Sequence, residues 1–233
     1  TREISMDLLA TLDQMIDERH LLRHPFYTKW AAGTLPKPAL QEYARQYFAF
    51  ESTFPRLLSA LHARTEQPEI RREILDNLWD EEHGTENHAE LWLRFAEGIG
   101  VAREDVQSAE RNDATRRLVE LYQDVTTQAP VSAGLAALYA YERQVPEVAP
   151  SKIDGLKEHY GIDDARTLKF FVVHGVLDVE HSGKEREMVG KLAAREDSAP
   201  VVDATRQALD AWWEFLSAVD LPAAEPMTAA AVA

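Results

Sequence analysis

One stretch, Phe170 to His181, limits what this chain can fold into. It reads Phe-Phe-Val-Val-His-Gly-Val-Leu-Asp-Val-Glu-His, a strongly apolar helix with polar side chains set into its buried face. At about 100° per residue, His174, Asp178 and His181 fall within roughly 60° of one another. The same face continues upstream through Phe171 and downstream through Glu185, Met188 and Leu192. Two imidazoles and a carboxylate buried in an apolar stripe are costly unless something satisfies them. A bound metal would satisfy all three. A core hydrogen-bond network is the alternative, and this stretch alone does not choose between them.

The rest of the chain supplies the context. Hydrophobic residues make up 45% of 233 residues, enough for a sizeable core, and only 10 are Gly. Long helices are the natural reading. The formal net charge is −15, with no run of Lys and Arg to offset it. Nucleic acid and an anionic membrane surface are therefore poor partners. There is no Cys, which excludes disulfides, thiolate zinc sites and a thiol nucleophile. The opening residues, Thr1 to Asp7, carry no apolar signal core, so a cytoplasmic location is expected. No apolar run approaches the roughly 20 residues of a membrane span.

Helical periodicity runs from residue 3 to 22 through Ile4, Leu8, Leu12, Met15 and Ile16. An aromatic cluster follows in His24-Pro25-Phe26-Tyr27-Thr28-Lys29-Trp30. Residues 38–64 read as one helix with Leu40, Tyr43, Tyr47, Phe50, Phe54 and Leu58 on its stripe, kinked at Pro55. Residues 68–98 read as another, with Ile74, Leu78, Glu81, Thr85, His88, Trp92 and Phe95 on its stripe. A short helix over 102–110 and a helix capped by Asp113 come next. Pro130 opens a helix with Val131, Leu135, Leu138, Glu142 and Val145, closed by Pro146 and Pro150. A short helix over 151–160 precedes the helix capped by Asp163 or Asp164 that holds the opening stretch. Pro200 to Val219 is the last. No strand-like alternation and no long repeat stands out. The expected fold is all-α: one domain over residues 1–222 of about seven or eight helices, with 223–233 a disordered tail.

Three of these helices carry ligand-type residues on apolar stripes: Glu81 and His88, then Glu142, then His174, Asp178 and His181. Helical bundles build dinuclear iron or manganese sites from facing helices with this kind of set. These added residues tip the choice from core network to metal, and to two ions rather than one. Glu81 and His88 are seven apart, so on one helix their side chains must converge across about 10 Å. Asp80 with His83 is a competing pair, but His83 lies about 200° round the helix from Glu81, off the apolar stripe. Glu82, Glu86 and Glu90 read as a solvated face, Glu147 as a helix-end charge, and His20, His62 and His159 as ordinary histidines.

The sequence resembles the haem-oxygenase-like dimetal oxidases over roughly residues 5–220. The marks are His24-Pro25-Phe26-Tyr27-x-x-Trp30, the stretch from Tyr43 to Pro55, Asp80-Glu81-Glu82-x-Gly84 with His88, Tyr141-Glu142, and His174-x-x-x-Asp178-x-x-His181. Within that superfamily it is similar to the Chlamydia-type branch of self-sacrificing 4-aminobenzoate synthases. The resemblance implies a seven-helix bundle without haem. It implies a centre of two iron ions, or one manganese and one iron, held by Glu81, His88, Glu142, His174, Asp178 and His181. O2 and an external reductant are the implied co-substrates, and a homodimer is expected for the family. In this branch the substrate is a tyrosine of the protein itself, and a lysine provides the nitrogen. The matching positions are Tyr27 and Lys152, which the residues alone mark only as an aromatic near a helix break and a charge at a helix start. Tyr43 and Tyr141 are further phenols that could relay electrons or line the pocket. Two other readings stay open: a multi-turnover oxidase or N-oxygenase acting on a small amine, amino acid or fatty acid, and a non-enzymatic helical interaction protein.

Overall fold

The computed structural model describes residues 2–194 and 197–221. The expected tail over 223–233 lies outside the described residues. Among the described residues there are twelve α-helices and no strand. In chain order they are α1 (Arg2–Glu18), α2 (Pro25–Ala31), α3 (Lys37–Glu51), α4 (Phe54–Arg64), α5 (Pro68–Glu82), α6 (His88–Gly98), α7 (Arg103–Gln107), α8 (Asp113–Thr127), α9 (Val131–Glu142), α10 (Val145–Tyr160), α11 (Ala165–Ala193) and α12 (Ala199–Val219). The all-α class stands. The larger number of segments comes from breaks that divide the long helices read from sequence.

Helix α9 is the axis of the bundle. Every residue from Ser132 to Glu142 is buried, as expected of a helix that is apolar all round. It packs against α4, α8, α11 and α12. Its small residues, Ala133, Gly134, Ala136 and Ala137 among them, let those neighbours come close. A Cβ at Gly134 would stand 2.6 Å from Leu61 Cδ2 and 3.1 Å from the Val125 carbonyl. Helix α11 crosses α9 with its polar-studded face inward and also contacts α1, α5, α6 and α10. Asp164 caps it, accepting from the Thr167 amide at 2.9 Å. Buried apolar side chains form one continuous cluster from Leu8 to Val219.

Three departures from the sequence reading matter for the site. Residues 38–64 are not one kinked helix. The chain breaks at Ser52 and Thr53, and Pro55 sits in the first turn of α4, where its missing N–H needs no partner. Glu51 thereby becomes the last residue of α3. Residues 68–98 also break. The polar run His83 to Asn87 forms a loop, Gly84 takes φ +84°, and Asn87 caps α6 by accepting from the Glu90 amide at 2.9 Å. Thr85, read as part of an apolar stripe, is on the exposed loop. Finally, Pro146 starts α10 rather than closing α9, and the helix runs on through Pro150. Lys152 therefore lies inside a helix and is 5% exposed. At α8, Asn112 takes the capping position read as Asp113, accepting from the Thr115 amide at 2.8 Å.

Candidate metal centre

Five helices bring ligand-type side chains to one point between α9 and α11. One group is Glu51 of α3, Glu81 of α5, His88 of α6 and His174 of α11. The other is Glu142 of α9 with Asp178 and His181 of α11. Within each group the ligand atoms lie within 4.8 Å of one another. All seven residues are buried. The six residues implied by the resemblance are thus brought together, and Glu51 joins them. The break before α6 solves the spacing problem of the helix reading. With the chain turned at Gly84, Glu81 Oε2 reaches His88 Nδ1 at 2.8 Å. The rings of His88 and His174 are 4.2 Å apart.

The surroundings orient the imidazoles. His174 Nδ1–H donates to the Phe170 carbonyl at 2.9 Å, which leaves Nε2 facing the group. His181 Nε2–H donates to Asp80 Oδ2 at 3.1 Å, which leaves Nδ1 inward. Metal-bound histidines are commonly oriented by such partners. Asp80 thus stands outside the group as a hydrogen-bond partner of His181, and His83 stacks on Trp79 outside the group.

The acids are unsatisfied. Glu51 Oε1, Glu142 Oε2, Asp178 Oδ2 and His181 Nδ1 are buried with no hydrogen-bond partner, an arrangement rare in folded proteins. Burial pushes the carboxyls of Glu51 and Glu81 up to about 8 and that of Glu142 up to about 7. It also raises Asp178, with Glu142 adding repulsion. His174 is held well below its usual value by burial and by His88. Four carboxyls and three imidazoles with no thiolate form a donor set suited to iron or manganese. Bound cations remove both the missing partners and the repulsion. The residues therefore fit two metal ions.

Aromatic side chains close the site. Tyr47, Phe50, Phe54 and Tyr141 line it with the acids and leave room for about one water molecule. Tyr47 stacks on Trp92 and Tyr141 on Trp212, and the Tyr47 and Tyr141 hydroxyls are hydrogen-bonded. Beyond them lies Lys152. Its Nζ donates to Tyr43 Oη at 2.7 Å, and the Tyr43 hydroxyl meets the Tyr27 hydroxyl at 3.3 Å. Lys152 Nζ stands 5.3 Å from the centre of the Tyr27 ring. Burial pulls this amine down to about 7, with Glu51 pulling the other way. Burial raises the phenols of Tyr27, Tyr43, Tyr47 and Tyr141, which stay protonated.

Of the four residues read as catalytic, Tyr141 lines the metal-type cluster, while Tyr27, Tyr43 and Lys152 form one hydrogen-bonded group beyond the lining aromatics. Sequence reasoning missed Glu51 and the place of Tyr47 in the site. The spacing Tyr43, Tyr47, Glu51 was available as a signal, since residues four apart share a helix face. The stripe was drawn through Phe50 instead.

Comparison with known proteins agrees with this geometry. The family described as iron-containing redox enzyme matches residues 41–213. A 4-aminobenzoate synthase of Chlamydia pneumoniae is 42% identical over 209 residues, covering 90% of this chain and 93% of that protein. A 4-aminobenzoate synthase of Nitrosomonas europaea is also 42% identical, over 89% of each chain. In structure, a TenA homologue of Pseudomonas syringae pv. tomato superposes with a TM-score of 0.80 at 17% identity, over 92% of this chain and 91% of that one. With a family match across most of its length and relatives at this identity, the chain belongs to the iron-containing redox enzymes of haem-oxygenase-like fold.

Proposed function

We propose that this protein makes 4-aminobenzoate from its own Tyr27, with nitrogen from Lys152, at a dinuclear centre of two iron ions or one manganese and one iron. The observation that carries the reading is the placement of Lys152. A buried amine is held through Tyr43 against Tyr27, beside a group of metal-type ligands. Relatives at 42% identity are 4-aminobenzoate synthases, which supports that product.

The carbon skeleton fits. The Tyr27 ring and Cβ hold the seven carbons of 4-aminobenzoate. The Cα–Cβ bond breaks, Cβ is oxidised to a carboxylate, and the ring C–O bond is exchanged for C–N. The ring oxygen leaves as water, and the nitrogen leaves Lys152 when oxidation by O2 turns its Cε–Nζ bond into an imine that water hydrolyses, leaving an aldehyde at Cε. Bound redox-active ions supply oxidation by O2, with electrons from an external reductant. The chain's own residues do the rest. Glu51, Glu81, His88 and His174 hold one ion, and Glu142, Asp178 and His181 the other. Tyr43 fixes the Tyr27 phenol and offers its proton a neighbour at 3.3 Å. Lys152, with its amine brought down to about 7, is available as a neutral nucleophile near neutral pH. Tyr47 and Tyr141 lie between the ligands and the Tyr27–Tyr43 pair as further phenols.

The water-sized space at the ligands favours an internal substrate over an external one. A small amine or fatty acid would need a pocket that these aromatics occupy. The test is a single-turnover incubation of 15N-lysine-labelled protein with Fe(II), O2 and a reductant. The expected result is at most one 4-aminobenzoate per chain, carrying 15N, with mass changes at Tyr27 and Lys152. Many products per chain, or an intact Tyr27 alongside product, would overturn the proposal.

A further inference from the structure

Glu185 lies one turn beyond His181 on the inward face of α11. It is 1% exposed, no donor group of the protein meets its carboxyl oxygens, and the side chain within hydrogen-bonding reach is another acid, Glu142. Its charged neighbours are Glu142 and Asp178, both acids. No cation of the protein answers it. Lys184, next in sequence, is committed to Glu73 at 3.0 Å and Glu180 at 2.8 Å. Asn77 spends its amide on Glu142 Oε1 at 3.3 Å and leaves its own Oδ1 unpaired. Glu185, Asn77 and His181 line a second water-sized cavity together with the Lys184–Glu73 ion pair, and Leu58, Ile74, Leu135 and Met188 wall it. An isolated carboxyl there is expensive, whereas Leu or Met would pack at little cost. The unpaired acceptors of Glu185 and Asn77 beside one small space suit a cation.

We infer that Glu185, which lies outside the 4.8 Å group of Glu142, Asp178 and His181, closes on the ion bound there as the fourth protein ligand of the second metal subsite. This rests on the two-metal reading above. It makes the subsites equal in ligand number, with Glu51, Glu81, His88 and His174 at the first, and unequal in charge. The first holds two carboxylates and the second three. A divalent ion neutralises the first, and only a trivalent ion neutralises the second. The second subsite is therefore the one that favours the more oxidised ion.

Anaerobic titration with Co(II) tests this without turnover. Stoichiometry comes from equilibrium dialysis, and coordination from the visible d–d bands, which strengthen as ligands are lost. Wild type should bind two ions. Glu185→Gln and Glu185→Met should bind the first with unchanged affinity and the second at least tenfold more weakly, with stronger d–d absorption from that ion. Metal-free Glu185→Met should melt above metal-free wild type yet gain less on adding Co(II), which a packing role alone does not predict. Unchanged second-ion affinity and spectrum in both variants, or weakening spread evenly over both ions, overturns the role of Glu185. Failure of wild type to take up a second ion overturns the two-metal reading beneath it.

Discussion

A lysine amine buried among tyrosines has consequences that can be measured apart from chemistry. Below pH about 7 the folded protein must hold Lys152 as a desolvated ammonium, and above it the amine is neutral. In the unfolded chain lysine keeps its proton to about 10.4. Between these values the unfolded state binds more protons, so this residue's contribution to stability rises with pH. Lys152→Met should therefore stabilise the protein at pH 7 by a few kcal/mol, on the order of 2–4. The advantage should shrink toward pH 10, as read by urea unfolding at a series of pH values. A constant difference across that range would contradict a neutral buried amine. At this scale the sequence was uneven. The ligand-type residues His174, Asp178, His181 and Glu142 were legible because each interrupts an apolar stripe. Glu51 was not, because it stands beside Phe50 and just before an unforeseen helix break. Tyr27 and Lys152 entered only by family resemblance. Nothing in their local sequence says that one amine is buried against one phenol, since that contact joins residues 125 positions apart.

Elements place these residues through close approaches. Helices α2 and α10 meet where Trp30 Nε1 donates to the Lys152 carbonyl at 3.2 Å. The contact depends on Gly155, where a Cβ would fall 2.6 Å from Trp30 Cδ1 and 3.1 Å from the Trp30 carbonyl oxygen. Gly155→Ala should cost about 1–3 kcal/mol by overpacking and should disturb Lys152 one turn away. Gly183→Ala is the control, because nothing lies within 4 Å of a Cβ there. It should be neutral or stabilise by about 0.5–1 kcal/mol through helix propensity. Thermal unfolding of the pair checks both, and equal midpoints would sink the argument. Helix identity was readable from periodicity, whereas helix ends were not. Pro55 and Pro146 were each read as disturbances inside or after a helix, yet both occupy first turns. The break at Gly84 was hidden because Glu81, Thr85 and His88 happen to keep helical spacing across it. That break is what lets Glu81 and His88 touch.

At the scale of the molecule, the bundle concentrates unpaired acids at its centre in a chain of net charge −15. Cations binding only the folded state stabilise it by mass action, by about 2.7 kcal/mol per site at a hundredfold excess over Kd. For a domain of this size, two sites should raise the melting midpoint by roughly 10–20 °C. Anaerobic scanning with Fe(II) or Mn(II), before and after a chelator, reads this directly, and an unmoved midpoint would mean that the acids hold no ion. The position of Tyr27 carries a different consequence. Its ring is 5% exposed and packs on Phe26 and Trp30, with its hydroxyl on Tyr43. Under the proposed reaction that ring departs as product, and the chain keeps a void where an aromatic stood. Emptying such a site costs about 3–5 kcal/mol, a large share of the 5–15 that holds a typical domain together. A used molecule would open more often and fall to proteases sooner than a fresh one. Release of the product would thus mark its maker for disposal, and supply of the compound would follow the rate at which new chains are synthesised.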